Sequence, residues 1–122
     1  MDRVRLSELD GSRLMTTDVR SLSPREAEAV LQAAHLASVS LPRDGALLSL
    51  VLVKGMRFDT ALVDQLKEMG RAGAPWVRAT AFAGVSALGR VVFRAVAPLT
   101  GRRIAAFDSE EEAKAWLLRQ PM

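Results

Sequence analysis

Residues 46–53 read ALLSLVLV, and this almost continuously apolar stretch decides the fold. Such a run is typical of a central strand that other elements cover on both faces. A loop is predicted just before it, at residues 42–45, where a proline and a glycine lie close together and interrupt regular secondary structure. The stretch therefore predicts a sheet with a central strand at this position and helices packed against it.

Two short strands and a helix are predicted before the central strand. The strands cover residues 4–6 and 13–19, with a turn at residues 10–11 between them. Residues 23–26 (SPRE) start the helix, because they combine a serine cap, a proline at the first helical position and a capping-box glutamate. The 3.6-residue period predicts that its buried face comprises Ala27, Val30, Leu31, Ala34 and Ser38.

The second half of the chain repeats this alternation. Its predicted elements are a helix capped by Asp59 or Thr60 and ended by Gly70, a strand over residues 76–83, a helix opened by residues 84–86, a strand over residues 103–107, and a helix capped by Asp108 or Ser109. The predicted buried positions are Leu62, Val63, Leu66 and Met69 on the second helix, Leu88, Val91, Val92, Ala95 and Leu99 on the third, and Ala113, Trp116 and Leu117 on the last.

The order ββαβαβαβα predicts an α/β fold. We expect one domain over residues 1–122, with a mixed, mostly parallel sheet of about five strands and about four helices. A chain of 122 residues, 49% of them apolar, can bury a core of its own. The absence of cysteine leaves the redox compartment open. The sequence has no apolar run of membrane-spanning length and no signal-peptide core at its start, so we expect a cytoplasmic protein without a membrane span.

The residue types that commonly carry out catalysis form no recognisable catalytic motif in this sequence. His35 is the only histidine, and the carboxylates match no acid/base or metal-binding signature. Ser86 follows Gly84 at a strand-to-helix turn, but residues 84–89 (GVSALG) have neither a P-loop lysine nor a nucleophile elbow. The sequence therefore predicts a protein that is not an enzyme, with no catalytic, cofactor-binding or metal-binding residues.

A candidate partner-binding surface lies on the third helix. Steps of 100° place Phe93 well off the predicted buried stripe, and an aromatic side chain flanked by arginines is typical of interface hot spots. With the outward side of the second helix, the candidate set is Phe93, Arg90, Arg94, Ala97, Asp64 and Lys67. In the alternative, Phe93 packs against a neighbouring helix and the arginines are solvated. A second stripe, Ala29, Ala33 and Leu36 on the first helix, suggests self-association into a homo-oligomer.

Three segments of the chain resemble one protein family. They are the central strand followed by Phe58-Asp59-Thr60, residues 75–88, and residues 107–117 (FDSEEEAKAWL). Together they are similar to the STAS-like (SpoIIAA-like) proteins related to bacterial anti-sigma-factor antagonists, over nearly the whole chain. The resemblance implies a STAS-like fold and a regulatory, protein-binding domain.

The same resemblance implies a phosphorylation site at Thr60. In anti-sigma-factor antagonists, phosphorylation of a serine in an aspartate–serine–serine–glycine turn breaks the complex with a partner kinase. Residues 58–62 (FDTAL) occupy the corresponding turn, with one hydroxyl group and no glycine. A phosphate there adds about −2 charge at a helix N-terminus. Asp59 and Thr60 are equally well explained as helix caps.

Three function classes follow. The preferred one is a non-enzymatic regulatory or scaffold domain of bacterial signalling or cell organisation, whose partner is a kinase or a polarity or other regulatory protein. A carrier of a small ligand or lipid is the second. Nucleic-acid binding is the third and is disfavoured, because no established motif is present and aromatic residues are only 5% of the chain. It would use Arg71, Arg78, Arg90, Arg94, Arg102 and Arg103.

Overall fold

The computed structural model of the protein describes residues 2–97 and 103–121. Within them the elements follow one another in the predicted order. They are β1 (Val4–Leu9), β2 (Ser12–Asp18), α1 (Pro24–Val39), β3 (Leu47–Leu52), α2 (Thr60–Ala72), β4 (Val77–Ala83), α3 (Ala87–Val96), β5 (Ile104–Phe107) and α4 (Glu110–Leu118). The prediction of an α/β fold with five strands and four helices is confirmed.

The five strands form one sheet in the order β1-β2-β3-β4-β5. β1 and β2 are an antiparallel hairpin, and every later pair is parallel. β3 is the central strand, and all six of its residues are buried. The apolar stretch at residues 46–53 therefore occupies the position that the sequence predicts for it.

The helices cover the two faces of the sheet unequally. α1, α2 and α3 each connect two neighbouring parallel strands, and right-handed connections in one direction place them on the same face. One core cluster joins side chains of all three helices to the sheet. α4 follows the last strand, and a separate cluster joins its Ala113 and Leu117 to β3 and β4 on the opposite face.

Side-chain caps set the start of each helix. Ser23 and Glu26 form the predicted capping box of α1. Of the two alternatives for α2, the Asp59 carboxylate accepts the backbone N–H of Leu62 at 2.8 Å, and in α4 the cap is Ser109. One predicted end is wrong. α2 continues past Gly70 and reaches its C-cap at Gly73, because glycine lowers helix propensity by only about 1 kcal/mol and does not by itself stop a helix.

The four helices differ in how many of their predicted buried residues are buried in the structure. All five predicted residues of α1 are buried, and in α4 Ala113 and Leu117 are buried with Trp116 partly so. In α2 only Leu62 is fully buried, while Leu66 and Met69 pack on the core in half-buried positions and Val63 is half-buried. α2 therefore buries fewer of its residues than α1 does. α3 differs most and is described with the site below.

Two loops meet backbone to backbone at the ends of β3 and β4. Gly84 has a φ of +87°, a conformation that residues with a side chain rarely adopt. A Cβ atom on Gly84 would lie 2.8 Å from the Cβ and 3.0 Å from the backbone nitrogen of Lys54. The loop after β4 can therefore reach this position only because residue 84 has no side chain.

We expect Gly84→Ala to lower the free energy of unfolding by about 2–4 kcal/mol, from left-handed strain and overpacking together. Gly11 is the matched control, because its φ is +82° but no atom lies within 4 Å of its added Cβ. Gly11→Ala should cost only the strain, about 1–2 kcal/mol. Urea unfolding of both variants measures the difference, and equal losses would contradict the close contact at Lys54.

Candidate functional site

The orientation of α3 overturns the predicted placement of its aromatic residue. Phe93 is half-buried and points toward the sheet, where its ring centroid lies 4.9 Å from that of Phe82. Leu88 and Val91, predicted as buried, are 76% and 58% exposed. The alternative in which Phe93 packs inside therefore describes the structure, although its contact is with a strand residue. Val92, Ala95 and Leu99 lie outside the residues whose side chains are described.

The reason for this orientation is a close approach at Gly89. Gly89, Phe93 and Ala97 follow one another at four-residue spacing and so share one face of α3. A Cβ on Gly89 would lie 2.7 Å from Cγ1 of Val85, so this face contacts the end of β4. α3 is strongly amphipathic, with Arg90 and Arg94 together on its polar side, but its apolar arc is wide and extends from Val91 to Phe93, so periodicity does not decide which end of the arc faces the sheet. The four-residue spacing of Gly89, Phe93 and Ala97 is the sequence feature that indicates the inward face of α3.

The opposite face of α3 presents apolar side chains to solvent. Leu88, Val91 and Arg94 lie at three-residue spacing on this face, and all three are exposed. Phe58, in the loop before α2, is 39% exposed. We call Phe58, Leu88 and Val91 the exposed apolar set. Large apolar side chains grouped on a surface are typical of interaction sites, whereas scattered single ones are ordinary.

A cleft of about 680 Å³ separates α2 from α3. Its floor is formed by ends of the parallel strands, with Val53, Phe82 and Val85 buried there. Phe58 and Leu88 stand on its walls, so the cleft and the exposed apolar set are continuous. The described lining consists of Val53, Gly55, Met56, Phe58, Val63, Leu66, Lys67, Phe82, Gly84, Val85, Ser86, Leu88, Gly89, Phe93, Ala97 and Ile104.

The structure brings together only part of the predicted partner-binding set. Lys67, Phe93 and Ala97 line the cleft, but Phe93 does so from the inner face of α3. Arg94 and Asp64 are exposed outside the lining, and Arg90 is half-buried. Partner binding by these residues stays a prediction. The exposure of Leu88, Val91 and Phe58 is not predicted by the sequence analysis, which assigns the first two to the core.

Thr60 is the first residue of α2 and is exposed. Because the Asp59 carboxylate caps the helix, the Thr60 hydroxyl is not needed as the cap. Position 60 therefore presents a hydroxyl group to solvent at a helix N-terminus, two residues from Phe58. Phosphorylation of Thr60 is not tested by this geometry and stays a prediction.

A second cavity, of about 100 Å³, lies between α1, α2 and the sheet. His35 and Ser38 of α1 line it, together with hydroxyl side chains of three adjacent strands, Thr17, Ser49 and Thr80. Ser49 and Thr80 are direct neighbours in the β3–β4 register. The only histidine thus lies beside a small, partly polar cavity rather than at the exposed apolar set.

The arginines of the second half do not form one basic surface among the described residues. The Arg78 guanidinium is used inside the fold, where it donates to the Ala46 carbonyl at 3.2 Å. Arg71 pairs with Glu68 on α2, and Arg103 donates to the Pro121 carbonyl. Arg102 lies outside the described residues. The arrangement does not supply the continuous basic footprint that is typical of nucleic-acid binding.

The carboxyl groups with shifted pKa values lie away from the cleft. A hydrogen bond from the Arg20 side chain lowers the pKa of Asp18, and one from Arg13 lowers the pKa of Asp44. The backbone N–H of Ser23 lowers the pKa of Glu26 within the capping box. These shifts come from structural contacts. In the described part of the chain, no group of three or more histidine, aspartate and glutamate residues is placed to hold a metal ion.

Comparison with known proteins places this architecture in one fold. No protein-family model and no curated protein matches the sequence. An uncharacterised DUF3478-family protein with a SpoIIAA-like fold from Shewanella loihica PV-4 matches with a TM-score of 0.66 and 14% identity, over 93% of this chain and 91% of that one. An anti-sigma-factor antagonist (STAS) domain protein from Planctomyces limnophilus matches with a TM-score of 0.62 and 13% identity, over 94% and 97%.

The chain therefore has a STAS-like fold, which confirms the resemblance that the sequence predicts. At identities of 14% and 13% the likeness establishes the fold alone. Within residues 2–97 and 103–121, none of the helices has the length and apolar character that crossing a membrane requires.

The orientation of α3 can be tested by unfolding measurements. We expect Phe93→Ala to lower the free energy of unfolding by about 2 kcal/mol, less than for a fully buried phenylalanine because Phe93 is half-buried. Leu88→Ala should change the stability by no more than about 0.5 kcal/mol, since Leu88 is mostly solvated. The reverse ranking in urea unfolding would show that the helix faces the other way.

Proposed function

We propose that this chain is a non-enzymatic regulatory or scaffold domain that binds another protein through the exposed apolar set. The observation that carries the proposal is the exposure of Leu88 and Val91 on one face of α3, with Leu88 and the exposed Phe58 both lining the same cleft. Burying such side chains against a partner removes apolar surface from water, at about 25 cal/mol per Å². The fold adds support, because one protein that shares it is an anti-sigma-factor antagonist (STAS) domain protein.

The charges around this set favour an acidic partner. Arg57 precedes Phe58, Arg94 follows Val91 by one turn, and Lys67 lies on α2. All three are exposed, and none of them pairs with a carboxylate in the described part of the chain. A partner with apolar anchors and an acidic rim would match this surface. A kinase or another regulatory protein of the cytoplasm is the class of partner that we propose.

Affinity capture from a lysate of the source organism tests this surface. We expect Leu88→Asp to weaken capture of one protein about thirtyfold, as for loss of an interface hot spot. An aspartate in the first turn of α3 suits the helix dipole, so the variant should fold. Leu6→Asp is the matched control, because Leu6 is 53% exposed on β1, at the opposite edge of the sheet from β5. Equal recovery by wild type and both variants would contradict the proposal.

Regulation through Thr60 is part of the same proposal. A phosphate on this exposed hydroxyl would place about −2 charge beside Phe58 and would repel an acidic partner. We expect Thr60→Glu to reduce capture several-fold, whereas Thr60→Gln, of nearly the same shape but uncharged, retains it. Quantitative mass spectrometry of the captured protein measures both. If the two variants capture equally, charge at position 60 has no regulatory effect.

A further inference from the structure

The cleft between α2 and α3 has the dimensions of a small-molecule site. Its volume of about 680 Å³ lies within the range of roughly 300–1,000 Å³ that is typical of such sites. Its floor, Val53, Phe82 and Val85, belongs to the buried core and so is firmly held. Water in the cleft contacts apolar walls on most sides, so an apolar occupant would be favoured over water.

The polar groups of the cleft restrict what the occupant can be. Ser86 and Lys67 are the side chains with hydrogen-bonding groups among its described lining residues, and that lining contains no acidic residue. The Ser86 hydroxyl already accepts the backbone N–H of Gly89 at 3.1 Å. The Lys67 ammonium has no carboxylate partner within the described part of the chain. Among its described lining residues, the cleft thus offers one cation without a carboxylate partner, one serine that caps α3, and otherwise apolar side chains.

We infer that the cleft binds a free long-chain monocarboxylate, with the carboxylate at Lys67 and the alkyl chain between Leu66 of α2 and Phe93 of α3. A lysine is a point charge on a flexible stem and matches a single negative charge. A phosphate headgroup carries more charge and would need further charged side-chain donors, and Lys67 is the one such side chain in the described lining. This site lies beyond the proposed function, because it concerns a small ligand inside the cleft rather than a protein on its rim.

Dodecanoate below its micelle concentration is the probe. We expect one equivalent to bind in calorimetry and to shift backbone amide resonances of the cleft. Gly55, Gly84 and Gly89 line the cleft and should shift, whereas Gly11 and Gly45 lie outside its lining and should not. 1-Dodecanol has the same chain without the charge and should bind more weakly.

Two lysine variants distinguish the contact between Lys67 and the carboxylate from the effect of removing one positive charge anywhere on the protein. Lys67→Met retains the apolar stem and should weaken dodecanoate binding about tenfold, which corresponds to about 1.4 kcal/mol, without changing dodecanol binding. Lys114→Met is the matched control, because Lys114 pairs with Glu110 on α4, on the other face of the sheet. Val63→Trp fills the cleft from α2 and should remove binding of both ligands.

Three outcomes would overturn the inference. One is the absence of dodecanoate binding to the folded wild-type protein. Another is unchanged dodecanoate affinity in Lys67→Met. The third is co-sedimentation with phosphatidylglycerol vesicles without binding of free dodecanoate, which would assign the apolar surface to a membrane. Protein capture by the exposed apolar set is measured separately, so failure of the ligand site and failure of the proposed function are distinguishable.

Discussion

Burial of β3 on both faces is the constraint on which the rest of the structure depends. Every side chain of this strand is buried, so apolar elements must cover the sheet above and below it. Right-handed connections in a single direction put α1, α2 and α3 on one face. The opposite face of β3 and β4 is then covered by α4, whose nine residues suffice because Ala79, Ala81 and Ala83 of β4 let it approach closely.

The unequal division of helices also explains where the site lies. α1 packs on the sheet with five buried residues, whereas α2 has Leu62 as its one fully buried residue. α3 is held at its N-terminal part by the contacts of Gly89 and Phe93 with the end of β4. The space left between α2 and α3 is the cleft, at the carboxyl ends of parallel strands.

Helices α1 and α3 show why sequence analysis succeeds in one case and fails in another. α1 has a mostly apolar stripe at the 3.6-residue period, and this stripe is the face that the structure buries. α3 has a clear polar side with both arginines, but its apolar arc is wide enough that either Phe93 or Val91 could face the sheet. Its orientation is fixed by the absence of a side chain at Gly89, which allows close contact with Val85. Hydrophobic periodicity shows where apolar residues lie, but it does not show that a residue without a side chain permits such a close contact.

The sequence by itself determined the order of elements, the central position of β3 and the start of α1, because these depend on local signals: apolar runs, caps and turn residues. The STAS-like fold was indicated by the resemblance of three segments to that family. The tertiary structure decided that Phe93 lies inside and Leu88 and Val91 outside, that Asp59 rather than Thr60 caps α2, and that a cleft remains beside Lys67. The inward position of Phe93 depends on its packing against Phe82 of β4, and the cleft depends on the spacing between α2 and α3, so both involve elements that are separate in sequence. The choice of cap depends on which of two suitable oxygens reaches the backbone N–H of Leu62.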